Sequence, residues 1–434
     1  MLKKKLPLLA AALLLCQLLQ AQFLMDMVDT STNMGKGMLQ LYNKFNRIRI
    51  SGYTQFQFQA AQTKGEKSFE GGDFATNVNN RFMIRRGRLR VDYIRTDKNE
   101  HPLLQLAMQL DGTEKGFGIR DFWGRVHENK WQLFSFTAGM FARPFGYEVN
   151  LSSSDRESPE RGRMSQILMR SERDLGLMVS IEPRKKDNPL KHFKLDGGLF
   201  NGQGIPGTNS EYDSYKDFIS RLTVKPYKIN KQFFISGGLS LYNGGFIQTT
   251  KYVYRDGFNS VGDKIFAVDS TVTNINQKAP RKYYGADIQF KLKHKWGATE
   301  LRAEYWAGTQ TALATTSETP ALLTTEPYYI RKFNGAYFYF LQNIVTEKHQ
   351  LVLKYDWFDP NTKVSKDDIG KTGTNINATN IRFNTWGIGY VYYMNESLKF
   401  ILFYDIITNE KTQLPGFTDD VKDNVFTCRL QFRF

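Results

Sequence analysis

The sequence contains little cysteine and little histidine, which limits the chemistry it can perform. Of its 434 residues, two are cysteine, Cys16 and Cys428, and five are scattered histidines. None of the histidines has the short spacing typical of a metal site, and no nucleophile elbow or phosphate-binding loop is present. We therefore expect no catalytic residue, no metal and no cofactor. A Ser/His pair assembled from distant strands is the alternative, since it would leave no local motif.

The only marked hydrophobic run of the sequence is a short one at the N-terminus. Residues 1–21 join a basic MLKKK to an apolar LPLLAAALLLCQLL and end on a small residue, Ala21. This arrangement predicts a secretory signal peptide cleaved before Gln22, because the apolar part is too short for a membrane anchor. Export disfavours nucleic acid as the partner of a chain whose net charge is +16, and favours small anions or a membrane. Cleavage leaves Cys428 alone, which excludes an intramolecular disulfide.

Alternating residues dominate the rest of the chain. Residues 424–434 read NVFTCRLQFRF, and strict alternation predicts a strand with one apolar and one polar face. Because no stretch approaches the length of a membrane helix, a closed barrel with its apolar face toward lipid is the remaining way to cross a bilayer. The same pattern predicts sixteen antiparallel strands, an even number as in bacterial outer-membrane barrels. Their predicted starts lie near residues 48, 81, 103, 118, 131, 173, 191, 216, 231, 279, 296, 332, 348, 379, 396 and 422.

Short and long connections alternate along most of the sequence. ENK at 128–130 is short, whereas the polar segments at 244–278 and 359–378 are long. Tight periplasmic turns and long outer loops are typical of outer-membrane barrels, and a soluble β-sandwich has no reason for this asymmetry. We therefore predict one barrel domain over residues 47–434 in the outer membrane of a Gram-negative bacterium. A short periplasmic segment of no assigned function, residues 22–46, precedes it.

Half of the residues at positions 81–90, RFMIRRGRLR, are arginines. Regular alternation puts Arg86, Arg88 and Arg90 on one face, which we expect to face the lumen because a lipid-facing arginine costs roughly 2–4 kcal/mol at the bilayer midplane. Two interpretations fit this face. It is either an anion-selecting ladder or ordinary lumen charge that nearby carboxylates such as Asp121 balance.

The connection at residues 142–174 is unusually long and charged. It holds six arginines, among them Arg161 and Arg163, and six acidic residues. Two arrangements fit this composition. The segment is either a surface loop with exposed ion pairs of little energetic value, or a third outer loop folded into the lumen that narrows the channel.

These motifs together resemble the phosphate-selective porin O and P family of Gram-negative outer membranes. The likeness covers essentially the whole mature chain and is densest over residues 81–182. It rests on IRRGRL at 84–89, GFGIRDFWGRV at 116–126, GMFARPFGYEVNLSSSDRESPER at 139–161, ERDLGLMVS at 172–180 and the terminal LQFRF. The resemblance implies a sixteen-stranded barrel that forms a homotrimer in outer-membrane lipid and passes phosphate or polyphosphate. The export signal, not the resemblance, is the reason to expect no nucleic acid as a partner.

The resemblance also implies a constriction made by an inward-folded third loop and mid-channel arginines. On the family's pattern, Arg85 and Arg86 are the arginine pair of this constriction. Asp121 matches a family aspartate there, and Arg161 matches a loop arginine. The full set of predicted anion-binding residues is Arg85, Arg86, Arg88, Arg90, Asp121, Arg161 and Arg163.

Two features depart from the family's pattern. The first predicted strand, ISGYTQFQF, offers Tyr53 and glutamines where the family can have another arginine. Arg85 and Arg86 are adjacent, so both can line the pore only if a β-bulge interrupts the pleat. We predict a passive, anion-selective porin of the phosphate type. The alternatives are a weakly selective general porin, or an outer-membrane enzyme or surface receptor on the same scaffold.

Overall fold

The computed structural model describes residues 47–205 and 213–434, and in these residues the chain forms eighteen strands of one sheet. The first nine strands are β1 (Ile48–Ala61), β2 (Asn80–Thr96), β3 (Pro102–Thr113), β4 (Gly116–His127), β5 (Phe134–Ala142), β6 (Arg173–Ile181), β7 (Phe193–Phe200), β8 (Asp217–Lys228) and β9 (Phe233–Ile247). The others are β10 (Val253–Phe258), β11 (Lys264–Asp269), β12 (Lys278–His294), β13 (Gly297–Ala312), β14 (Tyr328–Ile344), β15 (Thr346–Asp359), β16 (Phe383–Tyr393), β17 (Leu398–Asn409) and β18 (Val425–Arg433).

Sixteen of the described strands close into a barrel. Each pairs antiparallel with its neighbour, and β1 pairs with both β2 and β18, which leaves the barrel no free edge. The two further strands, β10 and β11, form a hairpin within the connection from β9 to β12. The predicted sixteen-stranded antiparallel barrel is confirmed, and every barrel strand begins within four residues of its predicted start. The predicted signal peptide and the segment 22–46 lie outside the described residues.

The barrel is polar inside and apolar outside. On β1, the side chain of Gln55 is fully buried while its neighbour Phe56 is 43% exposed, and the outward rings of Phe82 and Phe122 are 85% and 62% exposed. A water-soluble fold would bury such rings because hiding them from water is favourable. Alternation along each strand therefore separates a lumen face from a face suited to lipid.

Long and short connections lie at opposite ends of the barrel. At one end are long segments such as 62–79, 143–172 and 360–382, and at the other are short turns such as 295–296 and 394–397. The predicted alternation holds with two exceptions: a tight turn joins β3 and β4 at the long-loop end, and the longer segment 182–192 joins β6 and β7 at the short-turn end. In the described part of the chain no helix is long and apolar enough to span a membrane.

Candidate functional site: an arginine-lined constriction

The segment between β5 and β6, residues 143–172 and here called the constriction loop, lies inside the barrel. Its Ser153 accepts a hydrogen bond at its carbonyl oxygen from Gln55 Nε2 of β1 (3.0 Å). On the adjoining strands, Lys399 Nζ of β17 donates to the carbonyl of Ser154 (2.6 Å), and Arg429 Nη1 of β18 donates to that of Pro159 (2.6 Å). Because these partners belong to the inner faces of strands distant from β5 and β6, the loop folds into the lumen, the second of the two predicted arrangements.

The loop keeps its shape through buried internal contacts. The carboxylate of Glu148 accepts hydrogen bonds from the backbone N–H of Gly162 (3.0 Å) and from Ser165 Oγ (2.7 Å). These contacts anchor the start of a short helix, α1 (Arg163–Leu168), which buries its apolar residues against the barrel. A loop held by buried hydrogen bonds of this kind forms an ordered wall of the channel.

A β-bulge in β2 brings two adjacent arginines into the lumen. Gln55 of β1 pairs with Arg86 while the next residue, Phe56, pairs with Ile84, so Arg85 is the extra residue. A bulge of this kind interrupts the alternation of faces. Arg85 and Arg86 therefore both point into the lumen. This is the β-bulge that the sequence analysis required if two adjacent arginines were both to line the pore.

A second bulge in β4 has the same effect on another charged pair. Gln109 of β3 pairs with Asp121, whereas Leu110 pairs with Ile119, which leaves Arg120 as the extra residue. The side chain of Ile119 stays outside, 52% exposed, and Asp121 is buried. Arg120 therefore joins Asp121 on the lumen side.

The first arginine pair converges on Glu160 of the constriction loop. Arg85 Nε lies 2.8 Å from its carboxylate, Arg86 Nη2 2.6 Å, and Arg429 Nη2 2.8 Å. Burial alone would raise the pKa of Glu160, but Arg85, Arg86 and Arg429 hold that pKa well below its usual value. Glu160 is therefore a permanent anion that holds three cations around the loop.

Glu172, the last residue of the loop, forms the second centre. Its carboxylate is 3.2 Å from Arg161 Nη2 and also contacts the guanidinium groups of Arg120 and Arg173. Burial would raise the pKa of Glu172, but the three arginines hold the pKa well below its usual value. Arg173 also reaches Asp121 (3.2 Å).

Two cavities meet at this second centre. The upper cavity, about 610 Å³ at the long-loop end, is lined by Arg85, Arg86 and Arg161 among other residues. The lower cavity, about 320 Å³ toward the short-turn end, is lined by Ser51 and Phe434 among others. The residues that line both cavities, here called the neck, are Arg88, Arg120, Glu172 and Arg173. A solute that crosses the barrel along this wall passes the neck.

The neck and its ion-pair partners carry an excess of positive charge. Arg88 joins the network through Asp111 (2.9 Å), which Arg120 also contacts (3.4 Å). Among the described residues, four arginines share three carboxylates at the neck, and three further arginines share Glu160 in a separate cluster. The neck cluster consists of Arg88, Arg120, Arg161 and Arg173 with Asp111, Asp121 and Glu172, and the Glu160 cluster holds Arg85, Arg86 and Arg429.

The structure brings together most, but not all, of the predicted anion-binding residues. Arg85, Arg86, Arg88 and Arg161 line the upper cavity, and Asp121 lies behind it as a partner of Arg173. Arg90 lines the lower cavity and is neutralised by Asp92 (2.6 Å).

Arg163 does not belong to this group, although the sequence placed it there. Its helical position turns the side chain to the opposite side of α1, into a different cavity. Spacing along a loop cannot reveal this turn.

Sequence analysis missed several residues of the constriction. It did not single out Arg120, Arg173, Glu160 or Glu172 as members of the site. The signal for Arg120 was available, because Arg120–Asp121 repeats the adjacent-charge pattern of Arg85–Arg86 in a predicted strand. Two consecutive charged residues in a barrel strand indicate a bulge, since one of them would otherwise face lipid.

No protein-family model and no curated protein matches this chain. Solved structures do share its fold. OprB of Pseudomonas putida superposes with a TM-score of 0.53 at 10% identity, over 92% of this chain and 96% of that chain. The outer membrane channel DcaP of Acinetobacter baumannii gives 0.52 at 12% identity, over 89% and 97%. An anion-selective porin from Comamonas acidovorans gives 0.51 at 10% identity, over 89% and 99%. At these identities the similarity establishes the fold, and the chain is a porin-like β-barrel that resembles outer-membrane channels.

Proposed function

We propose that this protein is an outer-membrane porin through which small anions of the phosphate type diffuse passively. The neck carries the proposal, because four arginines share three carboxylates there, and three more arginines share Glu160 in a second cluster, of which Arg85 and Arg86 line the upper cavity. Excess positive charge in a narrow passage favours anions and repels cations. The protein would act as a homotrimer in a Gram-negative outer membrane, with no catalytic step.

The hydrogen-bond donors of the neck support phosphate as the preferred anion. Three buried guanidinium N–H groups find no acceptor among the described residues, namely Arg88 Nε, Arg120 Nε and Arg161 Nη1. Guanidinium groups bind phosphate and carboxylate oxygens through short, charge-assisted hydrogen bonds. A phosphate dianion can accept from several arginines at once, as the carboxylate of Glu172 does.

A weakly selective general porin is the second candidate, and one observation favours it. Every arginine of the network already has a carboxylate partner, so a permeating anion must compete with Glu160 and Glu172. Competition of this kind weakens binding while the net field still attracts anions. The two candidates therefore predict the same sign of selectivity but a different response to phosphate.

Currents through planar lipid bilayers separate the two candidates. For the phosphate-type porin, we expect an anion-directed reversal potential in a KCl gradient, and a chloride current that added phosphate blocks. Arg86→Ala should reduce both effects, because it removes one cation from the network. Arg95→Ala is the matched control, since Arg95 lies on the same strand but shares the outward face with its partner Leu104.

Each outcome decides between the candidates. Anion preference without phosphate block would support the general porin. A reversal potential with no anion preference in the wild type would refute both. An equal effect of Arg86→Ala and Arg95→Ala would show that the constriction arginines do not set selectivity.

A further inference from the structure

A third cavity, here called the side cavity, lies at the long-loop end on the other side of α1. Its volume is about 560 Å³. No residue lines both this cavity and either of the two cavities that meet at the neck. Helix α1 forms the partition, because Leu168 lines the upper cavity while Ile167 and Arg163 line the side cavity. The side cavity is therefore separate from the proposed anion path.

Arg163 is held in the wall of this cavity by two aromatic rings. Its guanidinium carbon lies 3.8 Å from the ring centre of Phe383 and 4.8 Å from that of Phe69. The residue is only 7% exposed. Cation–π contacts of this kind fix the plane of the guanidinium group and leave its N–H groups free at the edge of the plane.

The edge of this guanidinium has no acceptor among the residues that the structure describes. Arg163 donates a hydrogen bond to Asp356 Oδ1 (3.4 Å) from its backbone N–H and not from its side chain. Asp423 and Glu66 line the same cavity, but neither forms an ion pair with Arg163 within the described residues. None of the guanidinium nitrogens of Arg163 is among the fully buried polar atoms that lack a partner in the described part of the chain, so the guanidinium edge faces the space of the side cavity and is available to a ligand.

The remaining walls match an apolar body rather than a bare inorganic ion. Phe358, Phe417 and Ile381 contribute apolar surface, while Thr316 and Ser317 offer hydroxyl groups. Access is open, because Lys64, Lys67 and Ala378 at the rim are exposed. Flat apolar walls, a few hydroxyls and one fixed cation are typical of a site for a small organic acid.

We propose that the side cavity binds a small carboxylate with a flat apolar body, and that the guanidinium group of Arg163 binds the carboxylate. This site is distinct from the anion path, and its occupation requires no passage through the neck. The guanidinium edge takes the carboxylate in a two-point hydrogen bond, and the body lies among the phenylalanine rings. The ligand thereby supplies the acceptor that Arg163 lacks.

Fluorine NMR titration of the detergent-solubilised, full-length protein tests this proposal. The probe is 4-fluorobenzoate, and 4-fluorobenzamide is its neutral counterpart of the same shape. We expect 4-fluorobenzoate to bind and the amide to bind at least tenfold more weakly. Arg163→Gln should weaken 4-fluorobenzoate binding by roughly tenfold to a hundredfold, because a hydrogen bond to a charged group is lost.

Arg382→Gln is the matched control. Arg382 is an exposed neighbour of Phe383 outside the cavity lining, so its removal changes the long-range charge equally but should change affinity less than twofold. Phe383→Leu keeps Arg163 and removes one ring, and we expect a weaker but still charge-dependent site. Heat-modifiable migration on gels verifies that each barrel is folded.

The proposal is overturned if the amide binds as well as the acid, or if Arg163→Gln binds 4-fluorobenzoate like the wild type. It is also overturned if Arg382→Gln and Arg163→Gln have equal effects. The result is independent of the proposed porin function, because the reversal potential of Arg163→Gln should match the wild type whether or not the side cavity binds the probe.

Discussion

Replacing Glu172 by glutamine should make the channel more anion-selective. Glu172 is the carboxylate of the neck, and it lies 3.2 Å from Arg161 while also contacting Arg120 and Arg173. Because its pKa is held well below the usual value, it is charged at any working pH. Glu172→Gln therefore removes a full negative charge and leaves the shape of the side chain nearly unchanged.

The size of the effect follows from Coulomb's law. An anion held by the same three arginines would lie roughly 4–8 Å from the former carboxylate, where one unit charge acts by about 0.5–1 kcal/mol in water-like surroundings. An anion loses this repulsion and a cation loses an equal attraction, so the ratio of their permeabilities changes by about 1–2 kcal/mol. We therefore expect a roughly 5- to 30-fold rise in anion over cation permeability.

Reversal potentials in a KCl gradient measure this ratio directly. Glu318→Gln is the matched control, because Glu318 pairs with the exposed Arg170 (3.0 Å) and lies outside the neck. The same charge change at that position should shift the ratio little. At high salt the shift for Glu172→Gln should shrink only in part, since a narrow, partly buried neck is screened less than an exposed surface.

An unchanged or lower anion preference in Glu172→Gln would refute this account of the neck, provided that the loop stays docked. Docking can be checked separately, because the loop retains its bonds to Lys399 and Arg429. Limited proteolysis should cut residues 143–172 no faster in the variant than in the wild type. If cutting accelerates, the conductance of that variant reports on a displaced loop and not on the charge.

Two further predictions concern the bulge in β2 and the side cavity. Deleting Arg85, the extra residue of the bulge, should give a regular strand that keeps Phe82 and Ile84 on the outside. The deletion and Arg85→Ala should therefore yield equally heat-stable barrels with equal reversal potentials. Deleting Ile288 from the regularly paired β12 should instead prevent assembly, because it moves the following side chains to the wrong face. Binding of 4-fluorobenzoate should strengthen roughly threefold from pH 8 to pH 6. Burial raises the pKa of Asp423 to about 7; Glu66 and Asp420 add to this rise, and Arg163 opposes it. Between pH 8 and pH 6 Asp423 therefore takes up a proton, and the cavity loses a negative charge that faces Arg163. Burial also raises the pKa of Glu70 to about 7, which acts in the same direction beside Asp356. Asp423→Asn should reduce this pH dependence, and a dependence of opposite sign would contradict the charge assignment.

The barrel could be predicted from the sequence because its signal repeats in every strand. A period of two over the strand segments fixes which side chains face lipid, and a one-residue error would move every side chain to the wrong face. Adjacent charged residues put the pattern in conflict with itself at Arg85–Arg86 and again at Arg120–Asp121. The first conflict correctly located the bulge in β2, whereas the second, which marks the bulge in β4, was overlooked.

The constriction was harder to predict because it depends on contacts between distant parts of the chain. Glu160 is joined to Arg429 over 269 positions, and no local pattern links them. The six balanced charges of each sign at 142–174 were compatible with an exposed loop. Only the folded barrel distinguishes an exposed loop from one inside the lumen, because it shows that these charges are buried and contact partners on the inner wall. The turn of α1, which takes Arg163 away from Arg161, is likewise a property of three-dimensional packing.

The attachment of the constriction loop also has a consequence for folding. The loop bonds to β1 through Gln55 and to β18 through Arg429, and these two strands form the closing seam, where Gln55 and Gln431 meet across 376 positions of sequence. Pairing of the first and last strands is the slowest kind of contact to form, since it closes the longest loop. Because the loop bonds to both strands of the seam, it resists reopening there. The contacts that hold the loop in the lumen therefore also brace the closure of the barrel.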